Sequence, residues 1–398
     1  MTYYGNTPVV RDAFTRTMVE SFDDKDMIGV PQGFQSLFGN PANGSQTLYS
    51  PDKNTVEITI RRGNDKIGAL VPRGGLPGFD ASHKEIVEPK YSVFARVYPL
   101  IEEEAPLNAD QLLFAMPNES SESRASREDR MAWLARELIL EQQRRIGRTC
   151  EYLAAQSVLT GKMPAIYGSS TVYYDFLRPS AHTVAAGTVW SSGDPEANLI
   201  TATNYIRTNG HVDADYAIMD AGSFAGLRDN ENIQKLADIR RFEFVNLGMV
   251  SALEPKYQRM IANGFNPVGR LVLTNGCNLM LFTYTEQYTN PSGTATLYLP
   301  LGYCAVGWTG ARADRYFGPP EMLPMGPNAA ADYRSLFGFS LDSPPTPPNI
   351  KRGNVFDSSM FFHTAYRDGK AMKILTQAAP IYATTMTDAF AVITGCAT

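Results

Sequence analysis

A long amphipathic stretch at residues 126–160 constrains the fold of this chain more than any other feature. Ser126 stands where a helix N-cap is expected, and Asp129 follows three residues later in the position of a capping-box carboxylate. Gly161 and Pro164 come directly after the stretch and are typical of a helix C-terminus. At 1.5 Å per residue such a helix is roughly 50 Å long, which is longer than a small domain is wide.

The two sides of the predicted helix differ in polarity. The apolar side carries Met131, Leu134, Leu138, Ile146, Cys150, Leu153 and Val158 near helical spacing. The polar side carries Arg136, Glu137, Glu141, Arg144, Arg145 and Arg148. Because glutamates are interspersed among the arginines, the pattern favours a face that meets solvent or another subunit over one that binds nucleic acid.

Residues 1–50 are rich in Gly, Pro, Asn and Ser and contain one predicted short helix, at 11–22. The apolar residues Phe34, Leu37 and Phe38 are scattered without a sustained period. We therefore expect an extended N-terminal arm that is ordered only where it lies on something else.

An extended hairpin is predicted over residues 51–100. Val56, Ile58 and Ile60 alternate with polar residues, which is typical of a half-buried strand, and a second alternating strand covers 93–97. A Gly/Pro-rich stretch at 68–79 lies between them. Since isolated two-stranded hairpins are marginal in water, its order is expected to come from another domain or from another subunit.

The rest of the chain reads as mixed α and β structure. The predicted elements are a β-hairpin at 167–177, helices at 195–208, 222–228 and 230–238, a strand at 216–219, strand regions at 271–284 and 296–306, and strand-like sequence over 371–394. Residues 318–354 are irregular and punctuated by prolines, among them three Pro-Pro pairs, which is typical of a stiff spacer.

Composition excludes several classes of protein. In 398 residues, 43% are hydrophobic and 19% charged, which indicates a folded chain. The net charge of −5 gives no surplus of Lys and Arg with which to hold nucleic acid, although an acidic subunit can still surround DNA. The sequence shows no membrane-length apolar run and no signal peptide at its start, so a cytosolic protein is expected. The four cysteines lack CxxC spacing and are predicted to be buried free thiols.

We find no catalytic motif. No P-loop is present, and Ser223 in the segment 222–226 is one position too early for a G-x-S-x-G nucleophile elbow, so a small-residue helix start explains it better. The four histidines are isolated. Glu102, Glu103 and Glu104 are a conceivable cation site, but three adjacent glutamates are more typical of a solvated turn. The sequence therefore predicts no enzyme, no cofactor and no metal.

The order of the parts resembles the lambda-like major capsid proteins of tailed bacteriophages. The stretches that carry the resemblance are 54–63 and 70–78 for the extended loop, 154–162 with the hairpin after it for the spine helix and peripheral domain, 217–228 for the start of the axial-domain helices, and 375–381 with 388–392 for a closing peripheral-domain strand. No single motif is diagnostic; the colinearity over most of the chain carries the resemblance.

This resemblance implies an α+β HK-97-type capsid fold. Its parts are an N-terminal arm (1–50), an extended loop (51–100), a peripheral domain with the spine helix (101–184), an axial domain (185–355) and a return to the peripheral domain (356–398). It also implies hexamers and pentamers that close into an icosahedral shell around double-stranded DNA. The expected partners are other copies of the chain, a scaffold, a portal and a decoration protein, without a membrane. The expected location is the virion capsid, assembled in the host cytoplasm.

Charged residues of the extended loop are the predicted intersubunit contacts. Arg61, Arg62, Lys66 and Arg73 are expected to pair with acidic stretches such as Glu102, Glu103 and Glu104, and Gly74 to serve as a turn residue. Simple solvation of these charges is the alternative for each. A covalent Lys–Asn bond through Lys66 or Lys84, as in some relatives of the fold, is not expected. The rival functions are an encapsulin-like compartment shell and a monomeric hydrolase of mixed α/β fold.

Overall fold

The computed structural model describes residues 30, 32–50, 55–61, 92–107, 127–167, 170–238, 242–244, 254–290, 292–318, 362–368 and 371–397. Several predictions lie outside the described residues: the helix at 11–22, the N-cap Ser126, the tip of the extended loop at 62–91 and the proline-rich segment from residue 319 to 354.

The helices of the described part are α1 (Arg127–Thr160), α2 (Pro195–Tyr205), α3 (Ala221–Asp229), α4 (Glu231–Asp238) and α5 (Pro255–Ala262). The strands there are β1 (Thr47–Tyr49), β2 (Thr55–Ile60), β3 (Ser92–Val97), β4 (Ile101–Leu107), β5 (Lys162–Tyr167), β6 (Ser170–Asp175), β7 (Thr183–Ala185), β8 (Tyr216–Met219), β9 (Phe242–Phe244), β10 (Asn266–Val272), β11 (Asn278–Thr283), β12 (Gln287–Thr289), β13 (Ala295–Leu297), β14 (Tyr303–Gly307), β15 (Asp314–Phe317), β16 (Phe362–Asp368), β17 (Ala371–Ala378), β18 (Pro380–Ala383) and β19 (Phe390–Thr394).

The long helix is confirmed. Helix α1 has 34 residues and ends at Thr160, and Gly161 follows it with φ +68, the left-handed conformation that glycine adopts at little cost. The hairpin β5–β6 comes directly after this turn. The hairpin starts at Lys162, five residues earlier than expected. Pro164, a residue typical of the region after a helix C-terminus, lies within strand β5.

A mixed sheet of seven strands forms the centre of the molecule, in the order β7-β19-β14-β8-β11-β10-β9. All four residues of β8 are buried. Because successive side chains of a strand point to opposite faces, Tyr216 and Ile218 pack on one face of the sheet and Ala217 and Met219 on the other. The sheet is therefore covered on both sides, and β8 reads as a continuous apolar run.

Two hydrophobic cores flank this sheet. The first joins one sheet face to helix α1, through residues such as Ile146, Leu153 and Val158, and to the base of the extended hairpin. The second joins the other face to α2, α3 and α4, represented by Leu199, Leu227 and Ile233. All four cysteines are buried free thiols, as predicted.

The final strand corrects one expectation drawn from the resemblance. Residues 388–392 were expected to close the peripheral domain, yet β19 pairs with β14 and β7 in the central sheet, beside strands expected to form the axial domain. Strands β16 and β17 instead form a separate sheet with β4, and β17 and β4 contact helix α1. An apolar strand carries no local signal for which sheet it joins, since that choice depends on distant partners.

Candidate intersubunit surfaces

The base of the extended hairpin is anchored on its own chain. Strands β2 and β3 pair in antiparallel register from Thr55↔Val97 to Ile60↔Ser92. Ile58 and Ile60 are fully buried in the first core, whereas the alternate residue Glu57 is exposed. The alternation predicted from sequence is thus confirmed.

Polar contacts fix the same base from two sides. The Arg61 N–H donates to the Thr385 carbonyl at 2.7 Å, and the Tyr174 hydroxyl donates to the Val97 carbonyl at 2.6 Å. The Arg96 guanidinium lies 5.3 Å from the centre of the Tyr174 ring, within cation–π range. The order of the hairpin was expected to come from another domain or from another subunit. At its base, the order comes from contacts with the same chain.

The acidic run lies in strand β4 and not in a solvated turn, which corrects that expectation. Residues of the strand alternate between two faces. Glu103 faces helix α1, where its carboxylate is 3.4 Å from the Arg145 guanidinium. Glu102 and Glu104 face the other way: Glu102 accepts from the Gln377 amide, and Glu104 lies 2.7 Å from the Lys373 ammonium.

The predicted contact residues are therefore placed as follows. Arg61 ends the hairpin base and is exposed. The three glutamates hold partners within the subunit, although Glu102 and Glu104 are exposed and Glu103 is half-buried. Exposed pairs of this kind contribute little to stability. Arg62, Lys66, Arg73 and Gly74 lie outside the described residues. The role of all eight residues between subunits stays a prediction.

Glu151 is a central polar residue that sequence reasoning missed. It is fully buried on α1, and its carboxylate accepts from the backbone N–H groups of Phe34 at 2.7 Å and Gln35 at 3.0 Å, and from the Tyr284 hydroxyl at 2.8 Å. Burial raises the pKa of the Glu151 carboxyl to about 7. The sequence does contain a signal for this buried carboxylate: Glu151 interrupts the buried side of the helix one turn before Ala155.

Residues 32–50 lie on distant parts of their own chain, so the support for this described part of the arm comes from within the subunit. Phe34 contacts Phe265 and Tyr284 edge-on at centroid distances of 5.6 and 5.3 Å, and Phe38 contacts Tyr382 in the same way at 5.3 Å. These rings fill pockets built by residues far away in sequence. The scattered spacing of the rings therefore gave no local signal.

An arginine caps the end of the long helix. The Arg178 guanidinium donates to the Val158 carbonyl at 2.7 Å and to the Leu159 carbonyl at 2.8 Å, so it satisfies two groups that lack partners inside the helix. Its positive charge also lies at the negative end of the helix dipole. Burial lowers the pKa of the Arg178 guanidinium to about 10.

The serine that resembled a nucleophile is part of a helix cap. Asp220 precedes α3, and its carboxylate accepts from the Ser223 N–H at 3.0 Å, from the Ser223 hydroxyl and from the Gly302 N–H at 3.0 Å. The interpretation of this segment as a small-residue helix start is confirmed.

Comparison with known proteins identifies the family. A profile of the phage major capsid protein E family matches residues 50–333, more than two thirds of the chain. The chain belongs to this family. It is a structural protein of a phage capsid shell and not an enzyme, and copies of this capsid protein assemble with one another. The hydrolase interpretation is wrong, and the match favours a phage shell over a cargo compartment.

A solved structure shows the fold of this capsid protein. A prophage capsid protein from Escherichia coli CFT073 matches with a TM-score of 0.61 at 14% identity, over 96% of this chain and 98% of that one. A phage-related protein from Bordetella bronchiseptica RB50 gives 0.45 at 10% identity, over 96% and 97% of the two chains. The encapsulin of Synechococcus elongatus PCC 7942 gives 0.38 at 8%, over 88% and 85%. No curated protein sequence matches. The predicted α+β HK-97-type fold is confirmed.

The described residues of this capsid protein show neither a metal site nor a membrane-spanning helix. They contain no group of three or more His, Cys, Asp or Glu side chains placed to hold a metal ion. Within the same residues, no helix combines the length and the apolar character needed to cross a bilayer.

Proposed function

We propose that this capsid protein forms hexamers and pentamers that close into an icosahedral shell around packaged double-stranded DNA. The observation that carries the proposal is the anchored base of the extended hairpin, β2–β3. The base is held on the subunit's own core by Ile58 and Ile60, and residues 62–91 connect its two strands. A fixed base allows a connection of that length to reach a neighbour and transmit force to it.

The proposed contacts between subunits are individually modest and act together. The part of the arm before residue 30 and the extended loop are proposed to lie across neighbouring subunits. Because an isolated hairpin is marginal in water, the loop gains order when the shell forms, so assembly and ordering are coupled. Many such contacts per subunit then resist internal pressure, although no single one is large.

We also propose the division into arm, extended loop, peripheral domain and axial domain, with the last strand β19 placed in the axial domain's sheet. Helix α1 and the sheet β16-β17-β4 support a peripheral unit, and the central sheet with α2, α3 and α4 supports an axial unit. A scaffold, a portal and a decoration protein are the proposed partners, and the host cytoplasm is the proposed place of assembly.

The net charge fits the proposed cargo. A shell subunit has to surround DNA without holding it, and a charge of −5 provides no counterion-release affinity for phosphates. DNA is then retained by the closed shell and not by binding.

Negative-stain electron microscopy of the chain, expressed alone and with its adjacent genes, tests the proposal. Polyhedral shells or rings of five and six subunits are expected in at least one preparation, with DNA inside shells isolated from infected or induced cells. A stable monomer in both preparations would overturn the proposal. Shells that enclose a cargo enzyme would instead assign the protein to the compartment class.

A further inference from the structure

Residues 33–38, which we call the arm segment, have their backbone bonded to the rest of the subunit through one carboxylate. The segment contains a single 3-10 turn at Gln35–Leu37 and belongs to none of the described sheets. The N–H groups of Phe34 and Gln35 both donate to the Glu151 carboxylate, at 2.7 and 3.0 Å. The other donating backbone N–H groups of the segment reach carbonyls at most four residues away along the chain. Among the described residues, Glu151 is therefore the one distant partner of these N–H groups.

The side chains of the arm segment fill a closely fitted socket on the same subunit. Both of its phenylalanine rings occupy the aromatic pockets described above. The Gln35 amide donates to the Gly147 carbonyl at 3.2 Å and accepts from the Tyr382 hydroxyl at 3.0 Å. Gly33 lies against the Tyr284 ring, where an added Cβ would stand 2.5 Å from a ring carbon. The segment therefore has little freedom in the socket, and it encloses the carboxylate that it binds.

The groups bonded to the Glu151 carboxylate carry no positive charge in the described part of the chain. Its donors, two backbone N–H groups and the Tyr284 hydroxyl, are neutral. The titratable groups around it are also neutral between about pH 5 and 8, because burial raises the pKa of each one: Cys150, Tyr284, Tyr298 and Tyr382. An ionised Glu151 is thus a buried anion without a cation bonded to it.

Charged side chains on the surrounding elements lie near other groups. They are Arg148 near Tyr298, Glu286 near Tyr284 and Tyr298, Arg315 near Cys150 and Tyr382, Arg259 of α5 near Arg315, and Lys256 of α5, which binds Asp215 at 3.1 Å. The titration of Glu151 is therefore governed by burial and by its neutral donors.

We propose that the arm segment is a proton-sensitive latch, seated while Glu151 is protonated and opening locally when the carboxylate ionises. Opening brings water to the anion and so removes the cost of burying it. Residues from Gly39 onward stay in place, because the Gly39 N–H donates to the Ala313 carbonyl at 2.9 Å and strand β1 pairs with β15. A short unit with few bonds to the rest of the molecule opens at a lower free energy than the whole subunit.

Proton linkage gives the direction of the switch. The carboxyl has an ordinary pKa of 4.5 when it is hydrated, and burial raises the pKa of Glu151 to about 7 in the seated state. Between these values the seated state holds more protons, so opening becomes easier as the pH rises. Ten raised to the difference between 4.5 and about 7 sets the limit, an increase of about 300-fold in the opening equilibrium constant.

The latch also fixes where the preceding part of the chain leaves the subunit. Residues 1–29 come before the arm segment. When the segment is seated, they continue from the socket, and when it is open they continue from Gly39. Opening therefore extends their reach by up to roughly 20 Å, the length of six extended residues.

Amide hydrogen exchange of free, full-length subunits between about pH 5 and 8 tests the latch. After correction for the intrinsic pH dependence of exchange, protection of peptides that cover the arm segment should fall toward the limit of about 300-fold. Strand β8 lies inside the central sheet and reports unfolding of the whole subunit, so it should remain at least about tenfold more protected than the segment at pH 8. Protection of the segment that is constant with pH, or equal to that of β8 at pH 8, would overturn the proposal.

Two variants assign the pH dependence to Glu151. Glu151→Gln cannot ionise, so protection of the arm segment should stay constant from about pH 5 to 8. Tyr284→Phe keeps the ring but removes a donor to the anion, so the pKa of Glu151 should rise and the fall in protection should extend to higher pH. A wild-type pH dependence in Glu151→Gln, or the absence of an upward shift in Tyr284→Phe, would contradict the latch.

A third variant opens the latch without changing the carboxylate. The Cβ of Gly33→Ala would collide with the buried Tyr284 ring, so the arm segment should lose protection at every pH while β8 keeps it. Ala42→Ser adds one atom at an exposed position of the same arm and should behave like the wild type. Full protection of the segment in Gly33→Ala would show that the socket does not hold it as proposed.

The latch belongs to the folded subunit and goes beyond the proposed shell. If electron microscopy finds no shells, the proposed function fails and the exchange results still decide the latch. If the protein forms shells and protection of the arm segment is independent of pH, only the latch is wrong.

Discussion

At the scale of single residues, Glu151 connects three distant parts of the chain. Its carboxylate holds the backbone of residues 34 and 35 and the Tyr284 hydroxyl, and these partners are neutral donors. Burial of an anion without a cation bonded to it explains why its pKa rises to about 7 from an ordinary value of 4.5. The folded subunit therefore binds a proton at this site more tightly than the unfolded chain does.

This shift predicts a specific pH dependence. Between pH 4.5 and about 7 the folded state holds more protons at Glu151 than the unfolded state, so the free energy of unfolding falls as the pH rises through this window. The contribution is up to about 1.4 kcal/mol per pH unit. Glu151→Gln removes it. Urea denaturation of both proteins across the window should show a growing advantage of the variant as pH rises, and parallel profiles would contradict the assignment.

Arg178 gives a second prediction at this scale. Arg178→Met keeps the apolar stem but leaves the Val158 and Leu159 carbonyls without their donor, which should lower the free energy of unfolding by about 2 kcal/mol. Arg178→Lys retains the charge and one donor position, so it should lie between the wild type and Arg178→Met. Chemical denaturation measures all three, and equal stabilities would show that water replaces the cap.

At the scale of elements, the described base of the extended hairpin and its predicted tip lead to separate predictions. The base packs into the subunit core, so Ile60→Ala should cost about 2–5 kcal/mol of subunit stability through the cavity it leaves. This loss would appear in thermal denaturation of the free subunit, whether or not shells form.

The tip is predicted to act between subunits. Gly74→Val changes a turn glycine in the extended loop, and we expect it to prevent closed shells while free subunits fold with the melting temperature of the wild type. Gly74→Ala is the milder companion variant. Electron microscopy and thermal denaturation together decide the outcome, and normal particles from Gly74→Val would count against the extended-loop assignment.

At the scale of the whole molecule, the net charge leads to a prediction about how the subunit behaves toward DNA. With a net charge of −5 the subunit should not retard double-stranded DNA in a gel-shift experiment at about 0.15 M salt. Weak retention that disappears with added salt would reveal a basic surface that the net charge conceals. The experiment needs folded subunits that have not assembled, because closed shells trap DNA regardless of affinity.

Sequence alone determined the local elements of this protein. Helix α1, strand β2 and the short helices α3 and α4 are close to their predicted positions, because periodicity, caps and turn residues act between neighbours along the chain. The sequence also predicted that the cysteines are buried, and it contains no catalytic motif. The order of these elements was sufficient to indicate the capsid family before any contact was known.

Tertiary structure alone decided which elements meet. It placed β19 in the central sheet, put Glu102–Glu104 in a strand, packed Phe34 and Phe38 on their own subunit, and buried Glu151 beneath them. Each of these outcomes depends on partners more than 30 residues away along the chain, where no periodic signal reaches. The physical reason is that the hydrogen bonds of helices, caps and tight turns form between neighbours along the chain, whereas strand pairing and burial depend on the packed whole.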